Sequence, residues 1–250
     1  MSIRTMAPLA VAFVLVAPLS SHADLTAYSQ DFEGLAHAEP GWGNDALSND
    51  GWITWVNVYD AGGSFLYQYG TNPAPNGTLG FSGIDVGQGG PQQGNQQLAV
   101  YSDYSNGSAH GNGEWVESFV YQVRTVSAGD IGTTWIFQFD AKWFNLAAPS
   151  TAQAFIETRD PDNGYQLTAS MSIDLSQVPT TWGTYSLPFT ITAGAGQILQ
   201  FGFSNTATNY AGSAIYYDNI SLAPVPEPST YALMLTGLGL LGLAARRRRQ

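Results

Sequence analysis

The sequence predicts an all-β protein built as a jelly-roll β-sandwich, with an apolar segment near each terminus. Residues 24–222 contain recurring runs in which apolar and polar side chains alternate, the pattern of a strand with one buried face. Clusters rich in Gly, Asn, Ser and Pro separate these runs, and no stretch of the middle shows a helical period. Short strands joined by such turns favour a sandwich or jelly roll over a parallel α/β sheet.

The first 23 residues have the layout of a cleavable signal peptide. We expect this segment to be helical. Arg4 supplies a positive charge, and residues 7–19 form an apolar stretch that is too short to span a bilayer. Residues 21–23, Ser-His-Ala, fit the small-x-small cleavage pattern. We therefore expect signal peptidase to release a mature chain that begins at Asp24, with one domain over 24–222.

The predicted strands follow one another through the middle of the chain. The Asn163-Gly164 pair between two of them predicts a tight hairpin, because both residue types tolerate a positive φ. A calcium loop at 160–164 is a weaker alternative, since Gly164 stands where an oxygen ligand is needed. Segments 71–80 and 87–97 are dense in Gly, Pro, Asn and Gln and are predicted to be surface loops. The alternating runs are 119–126, 135–140, 154–156, 167–173, 199–204 and 215–222.

The middle of the chain is strongly acidic and contains no cysteine. Its basic residues are Arg124, Lys142 and Arg159, whereas all nineteen acidic residues lie between Asp24 and Glu227. This charge repels nucleic acid and anionic membranes, so neutral polymers and divalent cations remain as partners. Solubility alone would also account for the charge. Without cysteine, a disulfide framework and a thiol nucleophile are both excluded.

Residues 223–250 combine three features of a membrane-inserted tail. A Pro-Glu-Pro segment comes first and stays extended, because each proline fixes φ and lacks a donor. Residues 229–245 carry no charge and are just long enough for a short transmembrane helix. An arginine cluster follows at once, and positive charge is retained on the cytoplasmic side. The motif residues are Pro226, Glu227, Pro228, Arg246, Arg247, Arg248 and Arg249.

This three-part tail closely resembles the PEP-CTERM sorting signal of Gram-negative bacteria. The resemblance implies an exported protein that is held transiently in the inner membrane and then processed by an exosortase. It implies a final location at the cell surface or in the extracellular matrix. An ordinary C-terminal membrane anchor is the alternative interpretation of the same residues.

Three stretches of the middle resemble the galactose-binding-like jelly roll of bacterial carbohydrate-binding modules. The first is 30–34, Gln-Asp-Phe-Glu-Gly, and the second is 181–185, Thr-Trp-Gly-Thr-Tyr. The third is 216–222, Tyr-Tyr-Asp-Asn-Ile-Ser-Leu, which closes the domain. The resemblance implies a sandwich in which the first and last strands lie close together.

The same resemblance implies a structural calcium ion. In that fold the ligands come from an acidic residue near the first strand, from loop carbonyls and from an acidic residue of the last strand. By matching position these are Glu33 and Asp218, with Asp31 as a weaker candidate. Calcium prefers six to eight hard oxygen ligands, which such a mixture supplies. Carboxylates at exposed strand ends, without a metal, are the alternative.

Aromatic side chains are the candidate ligand-binding residues, because their faces can stack on sugar rings. Some cluster in one segment with polar side chains, and others flank a polar loop at 105–113. A core position is the alternative for each tryptophan, and the strand patterns favour the core for Trp135 and Trp182. The candidates are Trp52, Trp55, Tyr59, Tyr104 and Trp115.

The sequence offers little that could carry catalysis. It has no Gly-x-Ser-x-Gly turn and no zinc or phosphate-loop motif. The carboxylates Glu114, Glu117, Asp140 and Glu157 show no recognisable acid/base spacing. We therefore expect a non-catalytic protein that binds polysaccharide. A structural or adhesive matrix protein without a defined small ligand is the alternative, and a carbohydrate-active enzyme is less favoured.

Overall fold

The protein is a sandwich of two antiparallel β-sheets, which confirms the predicted fold class. The computed structural model describes residues 25–36, 45–70, 82–102, 113–208 and 211–226. The signal peptide and the helix at 229–245 lie outside the described residues. Within the described ranges, no helix is long and apolar enough to cross a membrane.

Sheet A has six strands, and the last strand of the chain lies at its centre. Along one edge, this last strand pairs with a single long strand over most of its length. Along the other edge, it pairs with two shorter strands. In spatial order the sheet consists of β10 (Gly183–Thr190), β7 (Thr134–Leu146), β12 (Ser213–Pro224), β5 (Gln96–Tyr101) and β4 (Gly83–Val86), with β1 (Tyr28–Gln30) also on β12.

Sheet B also has six strands and packs against sheet A. Its spatial order is β3 (Phe65–Gly70), β2 (Ile53–Tyr59), β6 (Trp115–Thr125), β11 (Ile198–Ala207), β8 (Thr151–Asp160) and β9 (Gln166–Asp174). A short helix, α1 (Asp45–Asn49), precedes β2, and a 3₁₀ turn (Pro161–Asn163) joins β8 to β9.

Aromatic side chains from both sheets form the core. Phe137 and Phe139 of β7 contact Phe201 and Phe203 of β11, with ring centroids 5.3 Å apart for Phe137 and Phe201 and 5.1 Å apart for Phe139 and Phe203. Trp135 is buried beside them, as the sequence predicted. In β7 these phenylalanines alternate with polar residues, so one face of the strand lies in the core and the other faces away from it.

The predicted hairpin at Asn163-Gly164 is confirmed, but the turn differs in detail. Asn163 ends the 3₁₀ turn, and the positive φ values fall at Gly164 and Tyr165, at 62° and 60°. The Asp160 side chain accepts a hydrogen bond from the backbone of Asp162 and so caps this turn. The carboxylate of Asp160 therefore stabilises the connection.

The predicted surface loop at 87–97 is exposed at most positions up to Asn95, but Gln93 is buried and β5 begins at Gln96. Gln93 and Gln97 are buried, and Gln97 already belongs to β5. The Gln93 side-chain amide donates to Asp140 Oδ2 at 2.7 Å, and that of Gln97 donates to the Gln93 carbonyl at 2.9 Å. The segment thus packs on the outer face of sheet A. The other predicted loop, 71–80, lies outside the described residues.

Candidate functional site

The outer face of sheet B carries paired aromatic side chains. Strand alternation turns Trp55, Asn57 and Tyr59 of β2 outward, while Val56 and Val58 between them are buried. In the strand register Trp55 lies opposite Phe119 of β6, and Tyr59 lies opposite Trp115. Cross-strand neighbours of this kind have their side chains in contact distance. Two aromatic pairs therefore lie side by side on one surface, which we call the aromatic face.

Gly202 of the central strand β11 leaves a position on the aromatic face without a side chain. Gly202 of β11 lies between Tyr121 on one side and Phe155 on the other. A Cβ at this position would lie 2.2 Å from the Val120 carbonyl oxygen, so only glycine fits without moving the backbone. The Phe155 ring lies 6.1 Å from that of Phe119 and 6.5 Å from that of Tyr121. The rings thus border a depression above the strand.

Hydrogen-bonding groups lie between these rings. The Tyr59 hydroxyl donates to Glu117 Oε2 at 3.2 Å, and the Trp55 indole N–H donates to Asn57 Oδ1 at the same distance. Burial raises the pKa of Glu117 above its ordinary value, and hydrogen bonds from the Tyr59 and Asn57 side chains partly oppose this shift. Groups of this kind can accept and donate hydrogen bonds to hydroxyl groups of a ligand.

Two depressions occupy the aromatic face. The larger, of about 730 Å³, is lined by Trp55, Tyr121 and Phe155 among others. The smaller, of about 560 Å³, is lined by Tyr59, Trp115 and Glu117. From Trp115 to Val123, β6 extends about 26 Å at the usual rise of a strand. The face is therefore open and long, which suits an extended polymer better than a small molecule.

The structure places three predicted ligand-binding residues on the aromatic face. Trp55 and Tyr59 are half-buried there, and Trp115 is 39% exposed. Tyr104 lies outside the described residues. Sequence reasoning missed Phe119, Tyr121, Phe155 and Gly202. The alternation in β6 could have identified Phe119 and Tyr121, because it places them on the face opposite to the buried valines.

The prediction for Trp52 is wrong. This side chain is 2% exposed and stacks on Phe203 in the core, with the ring centroids 6.5 Å apart. Its indole N–H donates to the Tyr28 hydroxyl at 2.9 Å. Trp52 precedes the first residue of β2 and points inward, so its ring is not available to a ligand.

The preference of Trp182 for the core is also wrong. Its half-buried ring lies on the outer face of sheet A, where the indole N–H donates to the Gln88 carbonyl at 3.2 Å. The Lys142 ammonium lies 5.3 Å from the centre of the ring, a cation–π arrangement. Trp182 therefore fastens the 87–97 segment to sheet A.

A cluster of carboxylates lies on sheet A where β12 contains a bulge. Asp218 is fully buried and lies directly opposite Asp140 of β7. The register then shifts by one residue, and Asn219 has a φ of 47°. The Asn219 side-chain amide donates to Asp140 Oδ2 at 2.8 Å. Like charges directly opposite one another destabilise a sheet, so this arrangement is costly as it stands.

Burial, together with the negative charges of Asp140, Asp31 and Glu33, raises the pKa of Asp218 to about 7, while a hydrogen bond from the Asn219 backbone opposes the shift. Asp218 Oδ1 accepts that bond at 2.6 Å. Asp218 Oδ2 is buried without a hydrogen-bond partner in the described part of the chain. An unsatisfied buried oxygen of this kind has the chemistry of a cation ligand.

The predicted calcium ligands fit the ion only in part. Glu33 lies near Asp218, but Glu33 Oε1 already accepts bonds of 2.6 Å from the backbone amides of Asn95 and Gln96. Asp31 lines a polar depression of about 350 Å³ beside the bulge. Among the described residues, no three acidic or histidine side chains converge as a metal site would require. A cation here would therefore depend on backbone carbonyls and water for most of its ligands.

The fold and this surface define an all-β sandwich with one aromatic outer face. The chain also carries a sorting signal, because residues 224–249 match the family described as the PEP-CTERM protein-sorting motif. This match confirms the predicted motif. It indicates export, exosortase processing and sorting to the cell envelope. Pro226 is described, whereas Glu227, Pro228 and the four arginines lie outside the described residues.

Several solved structures similar to this chain are carbohydrate-binding modules. The C-terminal family 22 module from Clostridium thermocellum is 13% identical, with a TM-score of 0.41, and covers 79% of this chain and 92% of its own. A family 30 carbohydrate-binding module is 12% identical, with a TM-score of 0.40, and covers 82% and 90%.

A viral protein is also similar in structure. The enzymatically active domain of tailspike protein 4 from bacteriophage CBA120 is 15% identical, with a TM-score of 0.44. The match covers 76% of this chain but only 21% of the tailspike chain, so this chain spans about a fifth of its length. No curated protein matches the sequence.

Proposed function

We propose that this protein is an exported, non-catalytic polysaccharide-binding protein whose ligand lies on the aromatic face of sheet B. The observation that carries the proposal is the pairing of Trp55 with Phe119 and of Tyr59 with Trp115 across neighbouring strands. Flat apolar rings beside Asn57 and Glu117 present what a sugar needs, namely a stacking surface and hydrogen-bonding groups at its edge.

The negative charge of the aromatic face affects which kinds of polysaccharide it can bind. Glu117 and Glu157 lie on it, and the cation Arg159 is paired with Glu157 through an Nε to Oε1 contact of 2.6 Å. An acidic polymer such as a uronate would meet uncompensated carboxylate charge there. The face therefore favours a neutral polysaccharide.

The spacing of the two glutamates supports a non-catalytic role. In the register of β11, Glu117 lies opposite Thr206, whereas Glu157 lies opposite Gln200. Six residues of strand separate these positions by about 20 Å, while a glycosidase needs its two carboxyl groups about 5–9.5 Å apart. The register therefore does not place the two glutamates opposite one another as a matched acid–base pair, although the charge of Glu157 contributes to the raised pKa of Glu117.

The sorting motif supports a role outside the inner membrane. In our proposal the chain comes from a Gram-negative bacterium, is held transiently in the inner membrane, and reaches the cell surface or extracellular matrix after exosortase processing. Signal peptidase would act at its other end. A surface protein that binds neutral polysaccharide would connect the cell to secreted polymer.

Affinity electrophoresis of the full-length chain in mild detergent, through gels that contain neutral polysaccharides, tests the proposal. We expect at least one polysaccharide to retard the protein. Trp55→Ala and Trp115→Ala should each weaken binding roughly tenfold or more, as truncation of a central aromatic contact does. Trp143→Ala is the matched control, because Trp143 is 40% exposed but lies on β7 of sheet A.

Equal losses for all three variants would contradict the assignment of the site to sheet B. Absence of retardation by every polysaccharide would contradict the binding function and leave a structural or adhesive role. Release of soluble sugar from a retarding polysaccharide would overturn the non-catalytic part of the proposal.

We also propose that a structural calcium ion lies beside the β12 bulge, with Asp218 as a ligand and Glu33 or Asp31 as the second carboxylate. Two observations support it: Asp218 Oδ2 has no hydrogen-bond partner among the described residues, and the charges of Asp140 and Asp218 oppose each other. A divalent cation would remove the repulsion that otherwise destabilises this part of sheet A.

Thermal melts with calcium and with EDTA test this second proposal. Calcium should raise the melting temperature of the wild-type protein, and EDTA should reverse the rise, because a ligand that binds only the folded state stabilises it. Asp218→Asn should remove most of the response, whereas Asp162→Asn in the β8–β9 turn should keep it. Loss of the response with Asp162→Asn instead would place the ion in the turn. An unchanged wild-type melting temperature would refute the calcium site.

A further inference from the structure

Two neighbouring turns close one end of the sandwich. The first, 126–133, joins β6 to β7, and the second, 191–197, joins β10 to β11. Backbone hydrogen bonds connect the two turns, one of them from the Gly132 amide to the Ile191 carbonyl at 2.8 Å. We call this pair of turns the end cap.

The end cap presents no charge to solvent. Its sequence contains one acidic residue, Asp130, and no basic one. Asp130 is fully buried, and its carboxylate accepts hydrogen bonds from the Leu25 amide at 3.0 Å and from the amide and hydroxyl of Ser127 at 2.8 Å. The exposed side chains of the end cap are therefore uncharged, and the large apolar one among them is Ile131, which is 48% exposed.

Both ends of the domain reach the end cap. Leu25 is buried there through its bond to Asp130. The Val225 amide donates to the carbonyl of Thr134, the residue that follows the first turn, at 2.8 Å. Only three residues separate Val225 from the apolar segment that begins at Ser229. Because a fully extended chain from 225 to 229 spans at most about 14 Å, an inserted tail brings the end cap next to the bilayer.

The acidic charge of the chain makes the uncharged end cap distinctive. With nineteen acidic and eight basic residues, the chain is repelled by a bilayer that contains anionic lipids. Asp160 and Asp162 lie at the same end of the sandwich, but in the turn after β8 of sheet B, whereas the tail continues from β12 of sheet A. The end cap is thus a surface beside the tail without charge to repel the bilayer.

We propose that the end cap lies against the lipid bilayer while the tail is inserted, with Ile131 in the headgroup layer and the strands of both sheets upright. This inference rests on the transient membrane anchoring in the proposed function. The aromatic face then stands upright on the membrane. Its end at Tyr59 and Trp115 is the more distant one, because β6 runs from Trp115 toward the end cap.

Fluorescence quenching of the full-length chain in vesicles tests this orientation. The chain contains no cysteine, so a single introduced cysteine can be labelled selectively. Ile131→Cys and Ala147→Cys are a matched pair, because both positions are exposed and they flank opposite ends of β7, about 40 Å apart at the usual rise of a strand. With nitroxide-headgroup lipid in the vesicles, the label at position 131 should lose most of its emission, and the label at position 147 should keep it.

A new charge in the end cap should weaken the contact. Ala195→Glu, at an exposed position of the second turn, should reduce the quenching at position 131 on anionic vesicles at low salt, and high salt should restore it. Ala147→Glu is the matched control at the far end and should leave that quenching unchanged. Melting temperatures of both variants should stay close to the wild-type value.

Flotation of the vesicles separates failure of the proposed anchoring from failure of this inference. A chain that does not float with the vesicles would refute the anchoring and the contact together. A chain that floats while positions 131 and 147 are quenched equally, or while position 131 is not quenched, would overturn the contact alone. Quenching at position 131 that Ala195→Glu leaves unchanged on anionic vesicles would also overturn the contact, because the tail alone would then hold the domain near the membrane.

Discussion

The buried carboxylate of Asp218 is electrostatically unfavourable in the folded chain. It is buried, it lies opposite Asp140, and one of its oxygens has no hydrogen-bond partner in the described residues. Its pKa of about 7 lies well above the ordinary value for an aspartate. The folded state therefore binds a proton more tightly here than the unfolded state does.

The consequence is a pH dependence that runs opposite to that of a salt-bridged aspartate. Between about pH 4 and pH 7 the native Asp218 holds more proton than the unfolded one, so this group lowers the free energy of unfolding as the pH rises. Without calcium, Asp218→Asn should stabilise the protein at pH 8 by on the order of 1–2 kcal/mol and have little effect at pH 4. Urea unfolding at both pH values measures this.

Asp174 provides the control for that experiment. Hydrogen bonds from the side chain and backbone of Ser176 lower the pKa of Asp174, so this group stabilises the fold above its unfolded pKa. Asp174→Asn should therefore give no gain at pH 8. Stabilisation by both variants would mean that general charge reduction, and not the site of Asp218, causes the effect.

Trp52 and Trp55 show what sequence reasoning at this scale can and cannot resolve. The cluster of aromatic residues was visible, and Trp55 does lie on the aromatic face. Which tryptophan points inward depends on where β2 begins, because a shift of one residue exchanges the two faces of a strand. That boundary is set by packing of Trp52 on Phe203, a contact between residues far apart in the sequence.

At the scale of the strands, a glycine in β11 shapes the aromatic face. Gly202→Ala would place a methyl group 2.2 Å from the Val120 carbonyl oxygen, so β6 and β11 must separate. We expect a loss of about 1–3 kcal/mol in the free energy of unfolding, as for other overpacked sites. Polysaccharide affinity should fall as well, because Tyr121 and Phe155 flank this glycine.

Gly194→Ala is the matched control for this variant. Gly194 lies in an open turn where the nearest atom to an added Cβ is 4.0 Å away. It should change stability by less than about 0.5 kcal/mol. Equal effects of the two substitutions would show that the close approach at Gly202 does not matter.

Most strands could be predicted from period-two alternation, and the fold class followed from them. The packing of the 87–97 segment on sheet A could not be predicted, because it depends on hydrogen bonds to residues of distant strands. Gln93 reaches Asp140, and Gln88 accepts bonds from Lys142 and Trp182. Its Gly- and Gln-rich composition is the same whether such a segment is solvated or packed. The same limit hid Phe155, whose neighbours Phe119 and Tyr121 belong to another strand.

At the scale of the whole molecule, the acidic charge opposes folding. Carboxylates far outnumber cations between Asp24 and Glu227, and their mutual repulsion is screened by salt. Raising sodium chloride from about 10 mM to about 500 mM should increase the melting temperature by a few degrees. If the proposed calcium site exists, calcium at equal ionic strength should add a further increase. A melting temperature that falls with salt would contradict this account.

The central position of β12 has a mechanical consequence. The Val225 amide donates to the Thr134 carbonyl at 2.8 Å, and the sorting motif begins at residue 224, so the tail continues directly from the middle strand of sheet A. A pull on a tethered tail acts along this strand, where its hydrogen bonds to β7 on one edge and to β1 and β5 on the other share the load in shear. If the proposed polymer binds sheet B, tension between it and a held tail would be carried across the aromatic core and would not peel the sandwich open from an edge.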